Sequence, residues 1–165
     1  MNYNIPNGPI FTASFVTTAL STTQGHDLFV MTSTSASRVA ILDIEVTQPS
    51  SAAITQALGL RLFRGTTGVG AGSAVTPTHI NGHSTQAAVT GLTANSSTVV
   101  SSTSAVLLHA AAMDTTGKWR YQPIRPPTLN NTGQKLQLVT TTPQVATGAI
   151  HVTVTMAEIG KPAST

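Results

Sequence analysis

The chain has 165 residues, of which 40% are hydrophobic, so it is long enough to form one domain with a single core. Only 8% of the residues are charged and the net charge is +3, against roughly 25% charged residues in an average domain. Cysteine is absent, which excludes disulfides, thiolate nucleophiles and zinc–thiolate sites. A Ser/Thr-rich surface with so little charge is easily desolvated, which favours a subunit covered by copies or partners. A soluble β module of extracellular type is the alternative.

The basic residues are scattered along the chain, although the sequence pI is 9.8. Phosphate binding requires clustered cations, because affinity scales with the counterions released. We therefore expect no nucleic-acid partner. No apolar run approaches the roughly 20 residues that span a bilayer, and Met1–Pro6 lacks the basic start and apolar stretch of a signal peptide. We expect synthesis in a cytoplasm, no membrane partner, and a location that depends on assembly.

In chain order, residues 1–9 predict an extended N-terminal arm, residues 10–160 a single β-sandwich domain, and residues 161–165 a tail. Apolar and polar side chains alternate along most of the domain, and this alternation is typical of half-buried strands. Gly-, Pro- and Asn-rich turns separate the strands. The predicted strands are Ile10–Thr17, Asp27–Ser33, Arg38–Gln48, the stretch around Leu58–Phe63, Ser97–Ser101, Thr103–His109, Trp119–Ile124, the stretch around Leu136–Leu138, and Ile150–Glu158.

The strand Arg38–Gln48 has two different faces. Ala40, Leu42, Ile44 and Val46 form one continuous apolar face, while the other face begins apolar and turns acidic at Asp43 and Glu45. This pattern predicts a strand that is covered on both sides at its start and open on one side at its end.

Two stretches are less regular. Gly65–Ser96 is rich in Gly, Thr, Ser and Ala and predicts a long contact-forming loop, with short strands of its own around His79–Ile80 and Ala87–Thr90. Ser51–Leu58 and Ser104–Met113 could each form a short helix. For Ser104–Met113 we favour a strand that turns into a loop.

Glycine and histidine motifs do not complete a binding site. Gly65–Gly72 has the glycines of a phosphate loop, but no Gly-Lys-Ser/Thr follows and no helix pattern begins after it. His79 and His83 are four residues apart, but Asn81–Gly82 between them predicts a turn rather than a helix, and no nearby acid completes a metal site. We expect no cofactor and no metal, and we interpret both motifs as loops.

Catalytic groups and binding aromatics are also few. Asp43 and Glu45 share a strand face, and we interpret them as a solvated face or as partners of Arg residues rather than as a catalytic pair. No Gly-x-Ser-x-Gly elbow is present for a serine nucleophile. Trp119 and Tyr121 share one strand face and could form a small exposed platform for a ligand, although core or interface packing is the commoner use of such residues. The sequence therefore predicts no catalytic residue and no enzyme.

Several segments, taken in order, resemble small β-sandwich structural proteins of tailed bacteriophages and prophages. The resemblance spans roughly residues 28 to 160. The segments are Ser37–Gln48, Arg61–Gly68 leading into Gly72–Pro77, Val106–His109, Gly117–Pro123 and Val152–Gly160.

This resemblance implies a jelly-roll-like antiparallel β-sandwich and a subunit that forms homotrimers on the capsid lattice. We therefore expect a virion structural protein, a capsid decoration (cement) subunit that binds the major capsid protein on the outer capsid surface and stabilises the shell. The N-terminal arm Met1–Pro9 and the loop Gly65–Ser96 are the expected contact regions. A phage tail or receptor-binding module is the alternative, and it would need Trp119 and Tyr121 to be exposed.

Overall fold

The fold was analysed in a computed structural model that describes residues 8–17, 27–33, 38–48, 57–66, 72–80, 89–94, 105–113, 117–130, 133–141 and 149–159. These residues form twelve β-strands, all paired antiparallel. The strands are β1 (Ile10–Thr17), β2 (Asp27–Ser33), β3 (Arg38–Thr47), β4 (Leu58–Gly65), β5 (Ser73–Val75), β6 (Thr78–His79), β7 (Val89–Ala94), β8 (Val106–Met113), β9 (Lys118–Tyr121), β10 (Thr128–Leu129), β11 (Lys135–Thr140) and β12 (Ile150–Ile159). The predicted all-β class is confirmed.

The strands form two sheets with a shared core, as predicted for a sandwich. Sheet A has the order β10–β3–β12–β1–β6, and β9 also pairs with β3. Since β12 occupies one side of β3 along nearly its whole length, β9 and β10 lie end to end on the other side. Sheet B has the order β5–β7–β2–β11–β4–β8.

Most of the longer strands change sheet from one to the next along the chain, except that β4, β7 and β8 all lie in sheet B. The first four long strands, β1 to β4, fall in sheets A, B, A and B, and β8, β9, β11 and β12 fall in B, A, B and A. Strands far apart in sequence therefore become neighbours: β1 pairs with β12 from Ile10↔Ala157 to Thr17↔Ile150. The two-sheet sandwich is confirmed, whereas the more specific jelly-roll topology stays a prediction.

Side chains of both sheets fill the space between them. The alternation along β12 is confirmed, because Ile150, Val152, Val154 and Met156 are all completely buried. Across the core, the Phe15 ring of sheet A meets the Phe29 ring of sheet B edge to face, with centroids 6.2 Å apart. The central strands β2 and β11 are buried at nearly every position, on both faces of sheet B.

The predicted faces of β3 require a correction, because a β-bulge interrupts the strand. Val154 pairs with Ile44 and Thr155 with Asp43, but the next residue, Met156, pairs with Ile41. Leu42 is thus the extra residue of the bulge, and the faces exchange at this point. The core face consists of Val39, Ile41, Ile44 and Val46, while Leu42 is partly exposed. The prediction that placed Leu42 on one face with Ile44 was wrong.

The long loop predicted at Gly65–Ser96 contains more regular structure than expected. The short strands predicted around His79–Ile80 and Ala87–Thr90 correspond to β6 and to the start of β7, and residues 87 and 88 lie outside the described residues. β5 was not predicted. β7 extends to Ala94 and lies inside sheet B between β5 and β2. Residues 72–80 carry the chain from the edge of sheet B (β5) to the edge of sheet A (β6), so they close that side of the sandwich.

Other boundaries differ in smaller ways. β8 continues as a strand to Met113, so the expected change to a loop within Ser104–Met113 was wrong. β9 ends at Tyr121, short of the predicted Ile124. A positive φ of 78° at Gly133 accounts for the predicted turn before β11. The strand predicted at Ser97–Ser101 and most of the helix considered at Ser51–Leu58 lie outside the described residues.

The described part of the predicted N-terminal arm lies against β12. The Pro9 carbonyl accepts a hydrogen bond from the Glu158 amide at 3.0 Å. Gly8 passes so close to the Glu158 carbonyl oxygen that a Cβ at this position would collide with it. Glycine is therefore required here for close backbone approach rather than for an unusual φ. Residues 1–7 and the predicted tail 161–165 lie outside the described residues.

Candidate contact surface

The free side of β8 is the most apolar exposed edge among the described strands. Among the described strands, β8 lies at the end of sheet B and pairs with β4 alone. Its eight residues, Val106–Met113, include no Asp, Glu, Lys, Arg or Pro. Val106 and Leu107 are 56% and 50% exposed. An uncharged strand at the end of a sheet offers unpaired backbone N–H and C=O groups to another strand.

A bulge divides this edge into two parts. Leu62 of β4 pairs with His109, but the next residue, Phe63, pairs with Leu107, so Leu108 is the extra residue. His109–Met113 is regular, with Leu58, Leu60 and Leu62 as buried partners of its inward-facing residues. Ala110 and Ala112 point to the outer face and are exposed. The regular part of the edge is therefore lined by small side chains.

Most of the other described sheet edges are protected against strand addition. The exception is Ala13–Thr17 of β1, which lies beyond the two residues that pair with β6. β5 and β6 have three and two residues, and Pro77 separates them. On the far side of sheet A, β9 carries Lys118 and Arg120. Between β9 and β10 the chain contains Pro123, Pro126 and Pro127. Short strands, charges and prolines are common means of blocking edge-to-edge pairing.

Three aromatic side chains close the gap between β8 and β9, where the sheets meet at the edge of the sandwich. His109 of β8 lies 5.9 Å from the Trp119 ring and 5.2 Å from the Tyr121 ring, measured between centroids. Trp119 and Tyr121 stack, with 10° between their planes. We call these residues the aromatic cluster. Burial raises the pKa of Tyr121 above its ordinary value of 10.0.

The aromatic cluster is packing rather than an exposed platform. Trp119 is 6% exposed and belongs to the core, and Tyr121 is half-buried against it. The Trp119 Nε1 atom is buried and has no hydrogen-bond acceptor among the described residues. The interpretation of Trp119 and Tyr121 as core residues is supported, whereas a ligand platform would have left the Trp119 ring open.

The two acids considered as a catalytic pair are bound by basic residues of β9. Arg120 donates from Nε to Oδ1 of Asp43 at 2.9 Å and from Nη2 to Oδ2 at 3.0 Å. Lys118 Nζ lies 2.7 Å from Oε2 of Glu45. These ion pairs lie on the outer face of sheet A, as the interpretation of the acids as a solvated, paired face predicted.

Hydroxyl side chains cover the rest of this outer face. The cross-strand neighbours Thr78, Thr12 and Thr155 form one row. In the next row the hydroxyl groups of Ser14 and Thr153 are hydrogen-bonded at 2.9 Å. This face carries few apolar side chains and no cluster of one charge, so it offers less to a partner than the β8 edge does.

The remaining sequence motifs are only partly described. His79 packs edge to face on Phe11, with centroids 5.1 Å apart, and His83 lies outside the described residues. Most of Gly65–Gly72 lies outside them as well. Within the described ranges, no group of three or more His, Asp or Glu side chains could hold a metal ion.

Exposed apolar side chains also lie outside β8, one of them in the predicted contact loop. Ile80, just after β6, is 55% exposed, and Ile124, in the proline-containing turn after β9, is 87% exposed. The contact surface that the sequence did not reveal is the β8 edge. Its signal was the run Val106–Met113, eight residues without a charge.

Comparison with protein-family models, curated proteins and solved structures gave no match. Across the described part of the chain, no helix has the length and apolar character needed to cross a membrane.

Proposed function

We propose that this chain is a virion structural protein, a capsid decoration (cement) subunit that binds the major capsid protein on the outer lattice and stabilises the shell. The observation that carries the proposal is the two-sheet β-sandwich fold, whose strand order is compatible with the jelly-roll-like sandwich that the resemblance to phage structural proteins implies. The proposal includes a homotrimer, a location on the capsid surface, and a function without catalysis.

The strand order supports a jelly roll. With β5, β6, β7 and β10 set aside, sheet A reads β1–β12–β3–β9 and sheet B reads β2–β11–β4–β8. The first and last strands are neighbours in sheet A, and the second and second-to-last are neighbours in sheet B. Eight strands nested in this way form the two Greek keys of a jelly roll, a fold common in viral capsid domains.

The exposed apolar side chains support a role in binding proteins. Val106, Leu107, Ile80 and Ile124 are all at least half exposed. Such side chains on a chain with only 8% charged residues are suited to surfaces that become covered. Ile80 lies in the loop predicted to contact the capsid, and we assign it to that contact.

A modest contact suffices because many copies act together. Buried apolar surface contributes roughly 25 cal/mol per Å², and association costs offset part of this gain for each subunit. Repeated over a lattice, the remaining stabilisation opposes the outward pressure of packaged DNA on every capsomer. No moving part or reactive group is needed for this function.

The alternative, a tail or receptor-binding module, has less support. A receptor-binding surface on Trp119 and Tyr121 would need these rings to be accessible, and Trp119 is 6% exposed. A tail location would also give a few to tens of copies per particle, against hundreds for a decoration subunit.

The first test is the copy number of the chain in purified particles, measured by quantitative mass spectrometry. We expect hundreds of copies per virion. The second test adds purified protein back to particles from which it has been stripped, and measures the temperature of DNA release. We expect the added protein to raise that temperature.

A matched pair of variants locates the contact. Ile80→Lys should reduce binding to stripped particles at least tenfold, whereas Gln122→Lys, which adds the same charge at an exposed polar position, should bind as wild type does. Particles that lack the chain, or that contain only a few copies at the tail, would overturn the proposal. Unchanged binding by Ile80→Lys would overturn the assigned contact.

A further inference from the structure

We propose that the β8 edge is a self-association site, at which β8 of a second copy of this chain pairs antiparallel across a two-fold axis and joins the two B sheets into one. This inference goes beyond the capsid role, because it depends only on the edge itself. It would hold for a free protein in solution.

The argument begins with the contrast among the edges. Short strands (β5 and β6), charges on β9 and prolines after β9 protect most of the other described edges. β1 also has an uncovered stretch, Ala13–Thr17, which β6 does not reach. β8 has eight residues and none of these devices apart from its bulge at Leu108. An edge with unpaired backbone groups and exposed apolar side chains is a template for another strand.

The bulge defines which part of the edge can pair. Beyond Leu108 the regular segment His109–Met113 alternates between the inner and outer faces, with Ala111 at its centre. In an antiparallel pairing centred on Ala111, Ala110 lies opposite the second copy's Ala112, and His109 opposite its Met113. Each opposed pair then points to the same face of the joined sheet, as an antiparallel ladder requires.

Charge and size favour a second copy as the occupant. The edge has no Asp, Glu, Lys or Arg, so two copies meet with no like charges opposed and no ion to desolvate. Alanine side chains at three successive positions allow the two strands to approach without steric conflict. Leu107 and Val106 lie two and three residues before His109, on the far side of the bulge, and are 50% and 56% exposed.

The contact is small, so the dimer should be weak. Five paired residues extend over about 17 Å. A contact of this length buries less surface than the roughly 1,200 Å² or more of a specific interface. We expect dissociation constants in the micromolar range. The two-fold contact is independent of the proposed homotrimer, because a ring of three requires two different surfaces on each chain, whereas a two-fold contact uses one surface twice.

The test is sedimentation equilibrium of the full-length protein over about 1 µM to 1 mM, with three variants. Wild type should approach twice the mass of a single chain at high concentration, or twice that of a trimer if the trimer forms. Ala110→Lys/Ala112→Lys opposes like charges in both symmetry-related pairs, and should weaken self-association at least tenfold. Ala110→Lys/Ala112→Glu places opposite charges across the same pairs, and should restore it. Gln122→Lys/Asn130→Lys adds two lysines at exposed polar positions on either side of β10, and should associate as wild type does.

Ala110→Lys/Ala112→Lys and Ala110→Lys/Ala112→Glu differ only in the sign of one charge. A difference in their self-association therefore reports specific pairing rather than a loss of fold or of hydrophobicity. Circular dichroism checks that every variant keeps its strand content. If the mass of the wild-type protein does not double at any concentration, the proposal is overturned. This holds even if a strand of a different protein binds to the β8 edge. Equal weakening in Ala110→Lys/Ala112→Lys and Ala110→Lys/Ala112→Glu overturns the register. Failure of the particle-binding tests has no effect on this result, so the two proposals fail separately.

Discussion

Replacement of two adjacent residues of β3 tests the bulge directly. Ile41 is completely buried in the core, whereas its neighbour Leu42 is the partly exposed extra residue. Ile41→Ala removes buried methyl and methylene groups and leaves a cavity, at a cost of about 2–5 kcal/mol in the free energy of unfolding. Leu42→Ala removes a similar volume from a site in partial contact with water, so we expect a loss of about 1 kcal/mol.

Urea unfolding, followed by the fluorescence of the single tryptophan and by circular dichroism, measures both changes. For a domain of this size each kcal/mol lowers Tm by about 2–4 °C, so Ile41→Ala should melt roughly 4–20 °C below wild type and Leu42→Ala within a few degrees of it. The slope of the unfolding free energy against urea should stay constant, since the surface exposed on unfolding is nearly unchanged. An equal loss in both variants, or a larger loss in Leu42→Ala, would refute the bulge.

Three further predictions concern the surface and the edge of the sandwich. Gly8→Ala should cost about 1–3 kcal/mol and should speed hydrogen exchange at the Glu158 amide, because a Cβ at this position collides with the Glu158 carbonyl oxygen; unchanged exchange would contradict that contact. Asp43→Asn breaks the exposed ion pair with Arg120, so stability should fall by less than about 1 kcal/mol and the difference should shrink in 1 M salt; a larger, salt-independent loss would contradict it. Because burial raises the pKa of Tyr121 in the folded state, its contribution to stability is complete below pH 10.0 and is lost as the pH rises through the raised value. An absorbance titration of a variant whose other tyrosine is replaced by phenylalanine should therefore show ionisation above pH 10.0, and a midpoint at or below it would exclude the burial effect.

The sequence predicts the strands well where one face is buried and alternation is strict. β12 is the clearest example, since its four inward positions are apolar and fully buried. β3 shows where this reasoning fails. Its apolar residues occupy both faces from Val39 to Leu42, and nothing in a continuous apolar run indicates where an extra residue is inserted. The bulge is fixed by pairing with β12, a strand more than a hundred residues away.

The contact surface was harder to predict for a related reason. Whether β8 lies at the centre or at the edge of a sheet depends on the order of strands, and the sequence of Val106–Met113 is compatible with either position. Alanine is common in helices and modest in strands, so the run Ala110–Ala112 favoured the end of the strand. The ion pairs of Asp43 and Glu45 were easier, because acids on an otherwise hydroxyl-rich face were expected to meet basic residues.

The unequal protection of the sheet edges limits how large an assembly can grow through them. A sheet open at both sides can add chains without end, which is the route to fibrils. Here prolines and charges block one side of sheet A, and very short strands bound the opposite side of the sandwich. Among the described edges, β8 is the longest without a charge or a proline. Pairing of β8 with β8 uses up this edge in both chains, so it joins two chains and does not by itself build a growing fibril.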